Sequence, residues 1–471
     1  MQKFIPDPKR WAALALLCAA QFIVILDTSI IGVALPAIQA DLGFSASGLS
    51  WIFNAYVIAF GGLLLLGGRL SDLFGARRIF TTGFVILTAA SLLAGLATSQ
   101  EILLAGRALQ GIGAALIAPS ALTIVMRLFG HNGAELGKAF GFWGAAAAAG
   151  GSAGVFLGGV ITEWMAWQWT FLINVPLGLI VLTAIPAVLR KSERARGKVD
   201  WFGAVTVTGA LVSLVYAIVT IETAGLGSPL ILSLLGISLA LLVVFLITQR
   251  VRREPLLPLG IFKAPNLAGG NLVMALLGAA WIPLWFFLNL YLQQILGLSA
   301  LASGLALLPM TILIMIVMVG FSGKLIGRFG PKTNLILGLL LMGASLILFA
   351  NLPLDGSLVI NVLPASLLAA LGMALAYIPA TMSGMAGAKP EETGLASGLI
   401  NTTYQIGSAI GLAVMVAISA AGSGRGGAGP AEMLQGFQAA FQGAGVVAAV
   451  AALATLLLIR GSAAQREVPV G

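Results

Sequence analysis

The chain has 471 residues, 59% of them hydrophobic and 9% charged, with a mean hydropathy of +1.05. A water-facing domain carries roughly 25% charged residues, so these charges cannot coat a soluble protein of this length, and lipid is the solvent that fits. One cysteine, Cys18, and one histidine, His131, exclude an internal disulfide framework and a Cys/His metal cluster. The net charge of +9 would suit a nucleic-acid surface, but its placement decides otherwise.

A membrane-spanning helix needs about 20 mostly apolar residues. Fourteen stretches approach that length: Trp11–Ala34, Ser50–Arg69, Ile79–Ala97, Ile102–Met126, Ala139–Ile161, Trp167–Leu189, Phe202–Ile221, Pro229–Thr248, Leu267–Leu292, Gly304–Leu325, Leu335–Ala350, Leu358–Thr381, Ser397–Ala420 and Phe437–Ile459. They lack the alternation of barrel strands, so the fold is predicted to be an all-α integral membrane protein. The first stretch runs past Asp27 to Pro36, too long for a signal peptide's apolar region. Ala15-Leu16-Leu17 before Cys18 also lacks the small residue of a lipoprotein cleavage site. A retained span is expected.

Lys3, Lys9 and Arg10 precede span 1, Arg77 and Arg78 follow span 2, and Arg190, Lys191, Arg194, Arg196 and Lys198 lie between spans 6 and 7. The other bases outside the apolar stretches keep to the same side except Arg425, while Asp41, Glu101, Glu163, Glu222, Asp355 and Glu432 lie opposite. The excess of Lys and Arg on one side predicts that both termini are cytoplasmic. The +9 is then a topology signal, and no nucleic-acid partner is expected.

An internal repeat is visible. Gly68-Arg69-Leu70-Ser71-Asp72-Leu73-Phe74-Gly75-Ala76-Arg77 returns as Gly323-Lys324-Leu325-Ile326-Gly327-Arg328-Phe329-Gly330-Pro331-Lys332, Ala118-Pro119-Ser120 as Ile378-Pro379-Ala380, and Gly151-Ser152-Ala153 as Gly407-Ser408-Ala409. Spans 1–6 therefore correspond to spans 9–14. The predicted organisation is a six-helix bundle over residues 1–190, a linker with two extra spans over 191–265, and a second six-helix bundle over 266–471.

Five motifs carry a family resemblance. Leu26-Asp27-Thr28-Ser29-Ile30-Ile31-Gly32-Val33-Ala34-Leu35-Pro36 resembles L-D-x-T-x-x-N-x-A-L-P, with Gly32 for Asn. Gly68 to Arg78 resembles G-x-L-a-D-x-x-G-r-r/k, and Arg107 to Gly113 resembles R-x-x-q-G-x-g. Gly150 to Gly159 is similar to G-x-x-x-G-P-x-x-G-G, with Val155 for Pro. Trp167 to Pro176 is similar to W-R-W-x-F-x-I-N-x-P, with Gln168 for Arg. Together these resemble the fourteen-span drug:proton antiporter branch of the major facilitator superfamily. The resemblance implies two six-helix bundles plus two extra central spans, alternating access, and proton-coupled export of drugs or other amphipathic molecules across the cytoplasmic membrane. It implies small-molecule and proton partners in a lipid bilayer, a monomer, and no cofactor.

The residues suggest roles within that frame. Asp27 and Arg107 are charges well inside spans, where ionisable groups are costly and usually functional. Asp27 is the only carboxylate expected there. At 1.5 Å per residue their depths differ by about 6 Å, within side-chain reach, and they are the candidates for proton coupling. A static pair joining two helices is the plainer reading. Gly68, Asp72, Gly75, Arg77 and Arg78 form a gating motif read as a cytoplasmic loop, in which Arg77 and Arg78 could pair with Asp72 or with an acid on a neighbouring span, Glu135 being a possible partner, and so latch one bundle to the other. Gly150, Gly154, Gly158 and Gly159 make a smooth helix face suited to close packing or sliding. Substrate-binding candidates are Asn54, Tyr56, Trp281, Trp285, Asn289, Asn401, Tyr404 and Gln405, polar or aromatic groups at membrane depth.

Other functions fit less well. Gly133 to Ala139 approaches a phosphate-binding loop but has the wrong spacing and no hydroxyl. His131 alone offers no nucleophile–base pair or metal cluster, so no enzyme is expected. A channel-like protein, and a dedicated exporter of one endogenous metabolite or lipid, remain the alternatives.

Overall fold

In lipid a backbone must satisfy its own hydrogen bonds, which leaves helices or a closed barrel. The computed structural model describes residues 8–44, 46–190, 200–225, 227–252, 255–389, 392–422 and 429–460, and among them there are helices and no strands. Among the described residues fourteen helices are long and apolar enough to cross a membrane. They are span 1 (Arg10–Ser29), span 2 (Trp51–Phe74), span 3 (Ala76–Gly95), span 4 (Gln100–Phe129), span 5 (Glu135–Trp164), span 6 (Trp169–Val188), span 7 (Trp201–Ile218), span 8 (Pro229–Val251), span 9 (Leu267–Ile295), span 10 (Ala302–Gly320), span 11 (Ser322–Phe349), span 12 (Leu358–Gly384), span 13 (Thr393–Gly422) and span 14 (Pro430–Leu458). The predicted all-helical, fourteen-span fold is what forms. The bases at 191–198 and Arg425 lie outside the described residues.

Helix starts follow local chemistry. Ser99, Asp200, Ser228 and Ser299 each accept a backbone N–H three residues on, satisfying a donor that a helix start leaves open. Span 1 is followed, after Ile30, by a further helix Ile31–Leu42 that ends at Gly43 with φ 69°.

The gating motif is not a loop. The helix of span 2 runs from Ala46 to Phe74, which places Asp72 in its last turn, 1% exposed. Asp27 is therefore not the sole carboxylate within a span. Gly75 alone makes the turn, at φ 93°, before span 3 begins at Ala76. In the second copy Gly330 turns the chain at φ 77° between Phe329 and Pro331. A side chain would strain either position. The short turn explains why hydropathy ended span 2 early: the last six residues of its helix carry Arg69 and Asp72.

The helices pack as two units. The first comprises residues 1–259 and 388–402; in it span 3 packs on span 4, span 2 on span 4, span 1 on span 5, and span 3 on span 6. Spans 7 and 8 pair with each other, and span 7 lies along span 2. The second comprises residues 260–387 and 403–471, with span 11 on span 12, span 10 on span 12, and span 11 on span 14. Those pairings reproduce 3 on 4, 2 on 4 and 3 on 6, so the sequence repeat is also a packing repeat.

Candidate functional site

Glycines bring span 4 close to its neighbours. A Cβ on Gly106 would lie 2.9 Å from the Ala94 Cβ, and one on Gly113 2.8 Å from the Gly83 carbonyl. One on Gly111 would meet the Tyr56 carbonyl oxygen. Spans 2, 3 and 4 thus approach almost backbone to backbone, and Arg107 lies at their junction.

There the sequence-predicted pair meets. Arg107 Nη1 donates to Asp27 Oδ2 at 2.9 Å and to Gln110 Oε1 at 2.8 Å, while Arg107 Nε donates to the Ile52 carbonyl at 2.9 Å. Gln110 Nε2 donates to Asp27 Oδ1 and to Ser91 Oγ, both at 2.8 Å, and Asn174 Nδ2 donates to Asp27 Oδ1 at 2.6 Å. The guanidinium carbon lies 4.5 Å from the Tyr56 ring centroid and 6.0 Å from that of Phe171. Asp27, Arg107, Gln110 and Ser91 have no exposed surface, and Asn174 has 1%. A buried ion pair is tolerable only when further hydrogen bonds meet its leftover donors and acceptors, and here spans 2, 4 and 6 supply them, with Ser91 of span 3 holding Gln110. Within this cluster three buried polar atoms remain without a hydrogen-bond partner: Arg107 Nη2, the Tyr56 hydroxyl and Asn174 Oδ1.

Sequence reasoning found Asp27 and Arg107 but missed Ser91, Gln110 and Asn174. Gln110 is three residues after Arg107 and so shares its helix face, and Asn174 lies inside a motif already recognised. Ser91 carried no signal. Tyr56, a substrate candidate from sequence, is 1% exposed and lies with its ring under the Arg107 guanidinium.

The glycine stripe of span 5 faces span 1. A Cβ on Gly150 would lie 2.6 Å from the Phe22 carbonyl, one on Gly154 2.6 Å from Ser29 Cβ and 3.1 Å from the Leu26 carbonyl, and one on Gly158 2.5 Å from the Ile30 carbonyl. The stripe therefore supports the segment of span 1 that carries Asp27. Gly159 is half-buried beside it. The side chain of Val155 lies outside the described residues. Gly32 is exposed, with room for a side chain.

Asp72 is held by backbone N–H groups and by Arg127 rather than by Arg77 or Arg78. Its Oδ1 accepts from the Gly394 N–H at 2.7 Å and its Oδ2 from the Leu395 N–H at 2.8 Å, both in the first turn of span 13. A carboxylate suits the positive end of a helix. Arg127 Nη2 is 3.9 Å from Oδ1. A Cβ on Gly68 would meet the Gly394 carbonyl oxygen and lie 3.0 Å from Gly398 Cα, so Gly68 permits the approach that brings Asp72 to span 13. Arg77 and Arg78 open span 3, where the Thr81 hydroxyl donates to the Arg77 carbonyl. Glu135 pairs with Arg10 at 3.1 Å.

In the second unit the candidates form neutral pairs. Trp281 and Trp285 meet edge to face with centroids 6.2 Å apart, and Tyr404 meets Tyr377, which sequence reading missed, at 6.1 Å. Asn289 Oδ1 accepts from Gln293 Nε2 at 2.9 Å, and Gln405 is half-buried. Asn54 is half-buried on span 2, and Asn401, in the first unit, donates to the Ser397 carbonyl at 2.8 Å.

The sequence pattern of the Major Facilitator Superfamily matches residues 17–412. The chain belongs to this superfamily. It is 38% identical over 450 residues to the cephamycin export protein of Amycolatopsis lactamdurans, covering 95% of this chain and 92% of that protein. It is also 38% identical over 417 residues to the puromycin resistance protein of Streptomyces alboniger, covering 88% and 82%. The fold is shared with the human organic anion transporter MFSD10, at a TM-score of 0.70 and 16% identity over 95% of this chain and 100% of that one. Family and fold make the chain a multi-pass transporter of small molecules rather than an enzyme.

Proposed function

We propose that the protein exports antibiotics or similar amphipathic drugs across the cytoplasmic membrane in exchange for protons, by alternating access, with Asp27 as the proton carrier and both termini in the cytoplasm. The observation that carries this reading is the dehydrated Asp27–Arg107 pair, since an ionisable group at membrane depth is expensive to keep. Relatives named for cephamycin export and puromycin resistance support the drug class.

Protonation would act on specific bonds. It removes the charge that holds Arg107 Nη1 and turns one carboxylate oxygen into a donor. Asn174 Oδ1, now without a partner, is the acceptor that a turned amide would offer to the new O–H. Arg107 keeps the Ile52 carbonyl, Gln110 and the Tyr56 ring. Span 4 thus stays attached to span 2 while its ionic bond to span 1 is lost, and span 1 rests on a smooth glycine face. The two halves, residues 1–190 and 266–471, are the bundles that would rearrange, with Asp72 at the start of span 13 as a latch.

Inverted vesicles with an imposed proton gradient test the assignment. Wild type should accumulate drug, and Asp27→Asn should bind drug but not accumulate it. Gradient-driven accumulation by the Asn variant would make Asp27 a structural residue. A panel that finds a single transported compound would favour a dedicated exporter, a reading that relatives named for one antibiotic each also support. Cysteines placed at 195 and 426 should label from opposite sides of the membrane.

A further inference from the structure

Resting on that proton-coupled reading, we infer that the cargo carries no net charge while it crosses, that an aromatic wall of the second unit holds it, and that each exchange moves one net positive charge inward.

The charge inventory at membrane depth drives this. Asp27 lies against Arg107, and its two oxygens already accept three N–H groups. With Asp27 ionised the pair sums to zero, and with Asp27 protonated it sums to plus one. It is never negative. A cationic cargo could claim Asp27 only by displacing the Arg107 guanidinium that holds it at 2.9 Å, whereas a proton binds the carboxylate covalently and leaves Arg107 its bonds to Ile52 and Gln110. Asp72 offers no substitute, because both its oxygens are taken by the start of span 13, with Arg127 beside it.

The second unit supplies recognition without charge. Spans 9, 10 and 12 and residues 403–422 contain no Asp, Glu, Lys or Arg. A Cβ on Gly278 would lie 3.1 Å from Tyr404 Cδ2, so Tyr404 rests on span 9 one turn from Trp281. Two aromatic couples, Tyr377 with Tyr404 and Trp281 with Trp285, thereby lie along neighbouring turns of span 9, with Trp281 buried and Trp285, Tyr404 and the adjacent amide of Gln405 half-buried. Aromatic faces attract cations, but edge-to-face pairing covers one face in each couple, and the attraction is small beside the cost of dehydrating an unpaired charge. Uncharged aryl molecules with a few hydrogen-bonding groups fit these couples.

One proton entering against one uncharged molecule leaving is electrogenic. In inverted vesicles at equal pH on both sides, a valinomycin-imposed potential, interior positive, should drive uptake of uncharged chloramphenicol but not of ethidium or tetraphenylphosphonium. Trp285→Ala and Tyr404→Ala should raise the KM for chloramphenicol roughly tenfold, while Tyr404→Phe, which keeps the ring, should stay within about twofold. If a pH gradient drives uptake but a potential alone does not, or if the permanent cations are preferred, the charge assignment is wrong while proton coupling stands. Unchanged KM values in normally expressed alanine variants would remove the aromatic wall. If neither gradient drives uptake of any probe, proton-coupled export itself fails, and this inference with it.

Discussion

Spans 3 and 4 cross at Gly83 and Gly113, and spans 11 and 12 cross at Gly338 and Gly372. A Cβ on either member of the first pair would lie 2.8 Å from the other's carbonyl oxygen; in the second pair the distances are 2.7 and 2.8 Å. The backbones repeat, yet the chemistry does not. Six residues before Gly113 stands Arg107, and six residues before Gly372 stands Ser366, whose buried hydroxyl has no hydrogen-bond partner. One crossing carries an ion pair and the other carries nothing charged, so packing geometry and coupling chemistry are separable. A duplicated scaffold needs its glycines twice but its costly charges once.

The sharpest way to break this contrast is to remove the charge. Arg107→Leu leaves Asp27 buried and uncompensated, and should destabilise the detergent-purified protein by about 3–5 kcal/mol with loss of transport. Ser366→Ala removes an unpaired hydroxyl and should stay within about 0.5 kcal/mol. Thermal melts of the two variants test both statements, and equal losses would contradict the asymmetry.

The geometric half of the comparison predicts symmetry. Gly113→Ala and Gly372→Ala each place a methyl against a backbone that cannot retreat, and each should cost about 1–3 kcal/mol. A large difference between them in the same melting assay would show that the crossings are not equivalent.

Asp72 offers a smaller asymmetry, because Gly327 occupies its place in the second copy. Asp72→Asn weakens two charge-assisted bonds to the start of span 13, at a cost of roughly 1–2 kcal/mol. Transport should fall while the amount of protein in the membrane stays normal, as read by uptake alongside an immunoblot. Full transport would reduce the motif to a topology signal.

The smallest effect is expected at Asp200, outside the spans. Burial raises its carboxyl pKa, but the Gly203 N–H, the Gln249 amide and the Arg252 guanidinium overcome this and hold it below the usual carboxylate range. A depressed folded-state pKa gives stability that is present above the unfolded value of about 3.9 and is lost as pH falls through the folded one. Asp200→Asn should cost about 1 kcal/mol at neutral pH. That difference should be flat from pH 5 to 8 and shrink once pH drops below about 4, as followed by melts across pH.

Much of this was legible in the sequence, because lipid leaves few alternatives. Apolar length alone located the fourteen spans, and the recurrence of Gly68–Arg77 at Gly323–Lys332 located the repeat. Asp27 and Arg107 were readable because charge at membrane depth is rare. The rest failed for identifiable reasons. Hydropathy stopped span 2 at Arg69, since a helical turn carrying Arg69 and Asp72 looks like a loop when the groups that neutralise it are far along the chain. Gly394 and Leu395 act through backbone N–H groups, which no side-chain pattern announces. Ser91 and Tyr377 are ordinary residues until packing sets them beside Gln110 and Tyr404.

The separation of Asp27 from its partners also has a consequence for biogenesis. Arg107 is 80 residues further along the chain, and Asn174 is 147. Span 1 therefore leaves the ribosome before either exists. An unpaired carboxylate at the centre of a bilayer costs about 2.5–3.5 kcal/mol on insertion scales, so span 1 enters lipid as a poor passenger and is completed only when span 4, and then span 6, arrives. Nascent chains truncated before Arg107 should hold span 1 less firmly in the membrane than chains carrying the first six spans. The ion pair thus gives the order of synthesis a part in assembling the first unit.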